Sequence, residues 1–385
     1  MLGNNIENIP EGWIVANIED IADIKTGSGD TQDKEEGGKY PFYVRSNTIE
    51  RVNSYSFDGE GVLTSGDGVG VGKIYHYVNG KIHYHQRVYN IHNFKDNVLG
   101  RYFYEYFRHN FYSRVMRMSA KGSVDSVRLD MIAKMSVLIP SIAEQEKIAD
   151  ILSSISQKVD LIDRKIKNTH KLKKGLTQKL FLEGVGSQNE QGEWISHLEF
   201  CKETGKPACW KTGNLIEFLE LKRGYDLPTK ERNAGKVEII GSNGVVGTHS
   251  ESMAQGPGII TGRSGTIGKV IFSKGEFWPL NTSLYVKNFY GNDAKFCFYF
   301  LEQFGLAKHG TGTGVPTLNR NVVHKEQVSF PNSIKEQEKI ASILDTVDQT
   351  LFLLRKQKEE LTVYSKGLMQ KLLSGEWRVN LNKAA

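Results

Sequence analysis

Two glycine-rich runs ending in lysine have the residue types and spacing that could hold a phosphate: Gly66-Asp-Gly-Val-Gly-Val-Gly-Lys73 and Gly262-Arg-Ser-Gly-Thr-Ile-Gly-Lys269. Neither is a P-loop. That pattern needs glycine at position 67 and a hydroxyl at 74, where the chain has Asp67 and Ile74, and the second run fails at Arg263 and Val270. The dinucleotide fingerprint fails too, because Val71 stands where its third glycine should be. Two readings remain and are compatible: a turn between two strands, or a loop that exposes backbone N–H groups to DNA with Lys73 and Lys269 on phosphates. His83 and His85 would share one face of a strand, but no third ligand recurs nearby and Leu280–Ser283, the matching stretch, has no histidine. Base contact by His85, Gln86 and Arg87, or an ordinary exposed strand, is left. The sequence holds no Pro-Pro pair, HExxH or GxSxG, and no acid–base or nucleophile set appears twice.

The side chains that could donate to phosphates and base edges cluster in a few loops. In the first half they are Lys25, then Arg45, Ser46 and Asn47, then Ser65 beside the glycine run, and Lys121, Ser123 and Arg128. In the second half they are Lys222 and Arg223, Ser242 and Asn243, Arg263 and Ser264, Asn281 and Thr282, and Thr311, Thr313, Asn319 and Arg320. Hydroxyl, amide, lysine and guanidinium groups of this kind supply both backbone positioning and base readout. A plain surface loop has the same composition. Arg164–Lys174 carries six basic residues, which suits a solvated helix face, with DNA or an acidic partner as the alternative.

These loops come in pairs because the chain is duplicated. Ile142–Leu152 returns as Ile334–Leu344, 192 positions on, and the same spacing relates Gly175–Leu180 to Gly367–Leu372. The regions upstream match more faintly, 196 or 197 positions apart, at Trp13 and Trp210, Ser46-Asn47 and Ser242-Asn243, and the two glycine runs. Pro140 and Pro331 stop what precedes each helix. Ser141 with Glu144, and Ser333 with Glu336, then form capping boxes. Apolar positions alternate by four and three along Ile148, Leu152, Ile155, Val159, Ile162 and Ile166, and along Ile340, Leu344, Val347, Leu351 and Leu354, broken at Lys358 and resumed at Leu361. A 3.5-residue period predicts two long helices, Ile142–Leu182 and Ile334–Ser374, each a rod of roughly 60 Å, packed on each other as a coiled coil. Gly184 and Gly375 fit left-handed C-terminal caps. Gly175 and Gly367, inside the last turns, suggest a close backbone approach or a bend.

The expected architecture is α+β: two pseudo-symmetric mixed globules separated by two long helices packed as an antiparallel coiled coil. The boundaries read 1–140 and 187–331 for the globules, and 141–186 and 332–385 for the helices and tail. At 385 residues the chain can bury more than one core. No apolar run approaches the span of a bilayer, and no secretory leader is visible. Three cysteines, Cys201, Cys209 and Cys297, fit neither a disulfide framework nor a metal site, which points to a reducing, cytoplasmic setting. A net charge of +6 permits a polyanionic partner without requiring one.

The chain resembles the specificity (S) subunit of type I restriction–modification systems. The residues that carry the likeness are Pro140–Leu152 and Pro331–Leu344 with their Glu-Gln-x-x-Ile-Ala-x-Ile-Leu core. Further matches are Lys-Gly-Leu-x-Gln-Lys-Leu at 174–180 and 366–372, and Gly-Glu-Trp at 192–194 and 375–377. The resemblance implies a non-catalytic subunit in which each globule reads one half of a bipartite, asymmetric duplex DNA site. It implies helices that set the number of unread base pairs, and two modification subunits docked on them that flip and methylate an adenine in each half. Glu144, Gln145, Lys147, Gln178 and Lys179, with Glu336, Gln337, Lys339, Gln370 and Lys371, would face those partners. No cofactor belongs to this chain on this view; S-adenosylmethionine belongs to the partners, and the sequence does not say whether restriction subunits join. Two other classes stay open: a coiled-coil scaffold whose globules bind proteins or glycans, and an enzyme using the glycine runs for a nucleotide.

Overall fold

The computed structural model describes residues 9–68, 70–118, 126–312, 314 and 316–381. Lys121, Ser123 and Thr313 lie outside the described residues. The chain divides into two compact units whose boundaries fall inside the long helices: residues 1–163 with 356–385, and residues 164–355.

The first unit begins with β1 (Ile14–Asn17), α1 (Ile18–Ile21), β2 (Asp23–Thr26), β3 (Tyr40–Tyr43) and β4 (Ile49–Val52). There follow β5 (Phe57–Ser65), β6 (Tyr75–Tyr84) and β7 (Val88–His92), then α2 (Gly100–Met118), α3 (Leu129–Ala133) and β8 (Ser136–Ile139). Six strands form one sheet in the order β2-β7-β5-β6-β3-β4, while β1 pairs with β8. This sheet cannot be flat. Phe57 of β5 pairs with Ile82 and Ser65 with Val88, so eight steps along β5, about 26 Å, must be matched by the six steps from Ile82 to Val88, which reach at most about 21 Å. The β5–β6 hairpin therefore curls, and it does so where Gly59 faces Gly80, both with positive φ and neither with a side chain to crowd the bend. Curling brings the ends of β2, β3, β5 and β6 and the start of β7 together.

The helix α4 (Ile142–Glu183) then runs unbroken into the second unit. That unit adds β9 (Ser187–Gln188), β10 (Trp194–Ile195), β11 (Lys211–Asn214), β12 (Glu220–Arg223), β13 (Val237–Gly241) and β14 (Gly244–His249). Next come β15 (Gly258–Gly262), β16 (Val270–Ser273), β17 (Phe277–Pro279), β18 (Ser283–Asn288) and α5 (Ala294–Phe304). β19 (Gly310–Thr311), β20 (Thr317–Leu318), α6 (Arg320–Val323), β21 (Gln327–Phe330) and α7 (Ile334–Leu373) complete it. Its sheets run β12-β18-β15-β16 and β14-β13-β17, with β11 on β21. The order is that of the first unit, except that the strand equivalent to β6 is interrupted between Ser273 and Phe277. The duplication inferred from a few glycines and turn residues is thus a duplication of topology.

Each unit has its own core. In the first, Phe103, Phe107 and Phe111 of α2 stack in series, and Tyr102 donates to the Leu138 carbonyl at 2.8 Å. Ile148, Leu152 and Ile155 of α4 join this core together with Leu368, Met369 and Leu372 of α7. In the second, Leu180 and Phe181 of α4 meet Ile340, Ala341 and Leu344 of α7 around Phe296 and Phe330. Within each unit, numbers rise along one helix as they fall along the other, so the expected antiparallel pairing is present in both. Lys358, which breaks the apolar seam, is matched by Asp163 Oδ1 at 2.6 Å. In the second unit Lys173 reaches Asp348 at 2.7 Å. The close backbone approach expected at Gly175 and Gly367 is absent: a Cβ on either would meet nothing within 4 Å. Both glycines lie on the solvent face, so neither marks a close approach, and α4 and α7 each run on through them as one helix.

Candidate nucleic-acid interface

In the first unit the curled sheet delivers loops from several strands to one place. The β5 strand ends at Ser65, whose hydroxyl donates to the Asp67 carbonyl at 2.7 Å. Gly66 N–H donates to the Arg87 carbonyl and the Gly66 carbonyl accepts from Val127 N–H, both at 2.7 Å. The glycine run, the 85–87 turn and the segment before α3 are therefore stitched together. Asp67 receives Arg45 Nη1 at 2.9 Å on one oxygen and Arg87 Nη1 at 3.6 Å on the other. Gln86 donates to Asp30 at 3.2 Å. Lys73 is exposed, its ammonium 5.1 Å from the Tyr112 ring centre. Gly72, with positive φ, leaves room beside the Tyr112 ring, 3.3 Å from where its Cβ would stand.

The second unit repeats the stitching with other residues. Leu318 N–H donates to the Arg263 carbonyl at 2.7 Å, as Val127 does to Gly66. Arg263 and Ser264 N–H both donate to the Thr282 carbonyl, and Arg263 Nη1 donates to the Asn281 carbonyl at 3.2 Å. The Asn281 amide donates to Asp226, the counterpart of the Gln86–Asp30 pair. Lys269 Nζ donates to the Asn243 carbonyl at 2.6 Å, next to Ser242. Lys222 donates to the Tyr225 hydroxyl at 3.1 Å, and Tyr225 hydrogen-bonds Tyr285. The bond with Tyr285, then that with Lys222, holds the Tyr225 hydroxyl below the usual phenol range, and burial raises that of Tyr285.

Not every anticipated side chain faces outward. Ser65 and His85 are buried. His85 Nδ1 accepts from Arg87 N–H at 2.9 Å, and burial followed by the Arg45 cation pushes its pKa down, so the imidazole shapes the turn rather than meeting a base. Lys25 is exposed near the end of β2, opposite Asn90. Arg223 stands 4.0 Å from Asp226. Arg128 stands at the N-cap position of α3 without a side-chain capping bond and pairs loosely with Asp130; its counterpart Asn319 caps α6, its side chain accepting from Asn321 N–H at 3.0 Å, and Arg320 follows it. Ser46, Asn47 and Thr311 sit in turns or short pairings, exposed or half-buried. Asp30, Asp67, Asp226 and Tyr225 were not anticipated. Their only signal was that each follows or replaces a glycine at a matched position.

The helix positions divide sharply. Gln145 is fully buried: its Oε1 accepts from Leu99 N–H at 2.7 Å and its Nε2 donates to the carbonyls of Asn97 at 2.8 Å and Pro140 at 2.9 Å. Gln337 does the same with Asp293 N–H, Asn292 Oδ1 and the Pro331 carbonyl, each at 2.8 Å. Glu144 accepts from Arg378 Nε at 2.8 Å. Glu336 accepts from Val185 and Gly186 N–H, the Trp210 indole and His197. These four side chains, expected to face partners, are internal clamps, because buried polar groups must find partners within the fold. Gln178, Lys179, Lys339 and Gln370 are exposed; Lys147 and Lys371 are half-buried, the latter paired with Glu376 at 2.5 Å.

The model of the type I restriction modification DNA specificity domain matches this chain twice, over residues 10–170 and 207–363. The chain belongs to that family. It shares 25% identity over 313 residues with the specificity subunit of the type I restriction enzyme MjaVIII of Methanocaldococcus jannaschii, covering 69% of this chain and 68% of the relative. Identity is also 25% over 299 residues with a putative type I restriction enzyme MjaX specificity subunit from the same organism, covering 71% and 67%. Among solved structures, the type I S subunit of M. genitalium superposes with a TM-score of 0.68 at 19% identity, over 97% of this chain and 98% of that one, a likeness of fold. The two family matches coincide with the two stitched loop clusters, so a specificity family explains why equivalent loops carry different donors. Among the described residues no group of three or more His, Cys, Asp or Glu is arranged to hold a metal ion, and no helix is long and apolar enough to cross a membrane.

Proposed function

We propose that this chain is the DNA-reading subunit of a type I restriction–modification complex, supplying sequence recognition while other subunits supply chemistry. The observation that carries the reading is the pair of equivalent loop clusters with different fillings. Asp67, Arg45 and Arg87 mark one; Arg263, Asn281 and Lys269 mark the other. A shared frame with divergent donors gives two readouts of base edges, and the exposed lysines add sequence-neutral attraction to phosphates. Residues 1–140 and 187–331 each read one half of a two-part site, and the helical segments 141–186 and 332–385 set the number of unread base pairs between the halves. Two modification subunits, carrying S-adenosylmethionine and methylating an adenine in each half, dock on exposed helix positions such as Gln178, Lys179, Lys339 and Gln370. Family membership gives the scaffold and nucleotide-enzyme readings no support.

The test is to replace residues 1–140 with the equivalent region of another family member and map methylated adenines across a genome. One half of the recognised sequence should change. A change in both halves, or in neither, would overturn the assignment of one globule to one half.

A further inference from the structure

The cluster around Asp67 has a composition that a phosphate site would not choose. Its carboxylate lies between two guanidinium groups, and a fixed anion beside DNA repels the backbone. The arrangement is layered: the Asp67 side chain is 22% exposed, against 42% for Arg45 and 64% for Arg87, so the anion is inside and the cations are outside. Asp67 is itself held by the hydrogen bond from Ser65 to its carbonyl and by the two backbone bonds of Gly66. Arg45 Nη1 hydrogen-bonds the carboxylate at 2.9 Å and Arg87 Nη1 stands within ion-pair range at 3.6 Å, so each guanidinium keeps N–H donors for a further partner. The carboxylate biases where both guanidinium groups stand before any binding, Arg45 more than Arg87.

A planar fork of two parallel donors fits an edge that offers two adjacent acceptors. In the major groove guanine alone does so, through O6 and N7; adenine offers an acceptor beside a donor, and thymine an acceptor beside a methyl group. The second globule has no such device. By the hydrogen bonds that stitch each cluster, Asp67 corresponds to Ser264 and Arg87 to Thr282, and neither Gly241 nor Ser242, at the place of Arg45, is basic. Building on the DNA-reading role proposed above, we infer that Arg45 and Arg87, held in place by Asp67, form a guanine-reading site that belongs to the first globule alone. Asp67 is a positioning residue that touches no base.

The experiment co-expresses the full chain with its modification subunits and maps methylated adenines genome-wide for wild type, Arg45→Lys, Arg87→Lys, the double variant and Asp67→Asn. Lysine keeps the charge and the exposed site but lacks the fork. The expected result is a G·C pair in one half of the site at which the lysine variants lose roughly 5- to 150-fold discrimination, the other half staying fixed. Asp67→Asn should relax the same position while affinity for random duplex, measured at several salt concentrations, does not fall; a merely structural aspartate would instead weaken methylation of every site alike. An altered half made only of A·T pairs, or a double variant that keeps its guanine preference, overturns the inference and leaves the DNA-reading role standing. A methylation pattern that does not depend on this chain overturns that role itself.

Discussion

Glu144 Oε1 and Arg378 Nε stand 2.8 Å apart although 234 residues separate them, joining the first turn of α4 to the segment that follows α7. Glu336, 192 residues beyond Glu144, makes a contact of the same length with His197 Nε2. Each long helix thus starts by gripping, through a buried carboxylate, the chain that leaves the end of the other. Gly184 is where this grip is tightest. A Cβ there would lie 2.2 Å from Glu336 Oε1, and the positive φ would strain any other residue as well.

Burial works against ionisation of Glu144, but the Arg378 guanidinium and the Ser141 cap outweigh it and hold its pKa below the usual carboxylate range. A depressed native pKa adds stability that is present above the unfolded value and vanishes as pH falls through the native one. Arg378→Ala should therefore cost about 1–2 kcal/mol at neutral pH, less than a fully buried pair because Arg378 is half exposed. The deficit should shrink to nothing in the acid range below about pH 4. Urea unfolding of the two proteins across pH checks this; a difference independent of pH would show that packing, not charge, is at work.

Gln145→Ala should cost about 2–3 kcal/mol, since it orphans the Leu99 amide and leaves two carbonyls short of a donor. Gln337→Ala should cost as much in the second unit, where the Asp293 amide is orphaned at the start of α5. Hydrogen exchange should rise first at Leu99 in one variant and at Asp293 in the other. Loss of partner binding with unchanged stability would restore these glutamines to an outward role.

Lys73→Ala and Lys269→Ala should weaken binding to any duplex alike, each lowering the slope of log affinity against log salt by about 1. The sequence recognised should stay the same. A changed motif in either variant would move that lysine from phosphate contact to base readout.

Inserting four residues next to Lys167 adds about one helical turn, roughly 6 Å. Methylome mapping should then show a spacer longer or shorter by one or two base pairs, with both half-sequences preserved. Loss of one half-sequence would mean that the helix does more than set a length.

The helices were legible because a 3.5-residue apolar period is local information. Ile148, Leu152 and Ile155, and Ile340, Leu344 and Leu351, are all buried as their spacing required. The fate of Gln145 was not legible. A glutamine in the first turn of an amphipathic helix looks solvent-facing, and only the return of Asn97–Leu99 beside it, decided by long-range packing of α2, turns it inward. The same holds for His85, whose alternation with His83 reads as an exposed face until the hairpin curls at Gly59 and Gly80. Asp67 was passed over as a defect in a phosphate loop, because its meaning lies in Arg45 and Arg87, which only the sheet topology brings to it.

The two compact units differ in how the polypeptide supplies them. One is a single stretch, residues 164–355; the other is assembled from residues 1–163 and residues 356 onward. A ribosome therefore releases every part of the second unit before the first can close. Until Leu368, Met369 and Leu372 emerge, the core that holds Ile148, Leu152 and Ile155 lacks the apolar side chains of α7. The globule translated earliest is thus the last to mature, and its nascent form is the one that most needs shelter from aggregation.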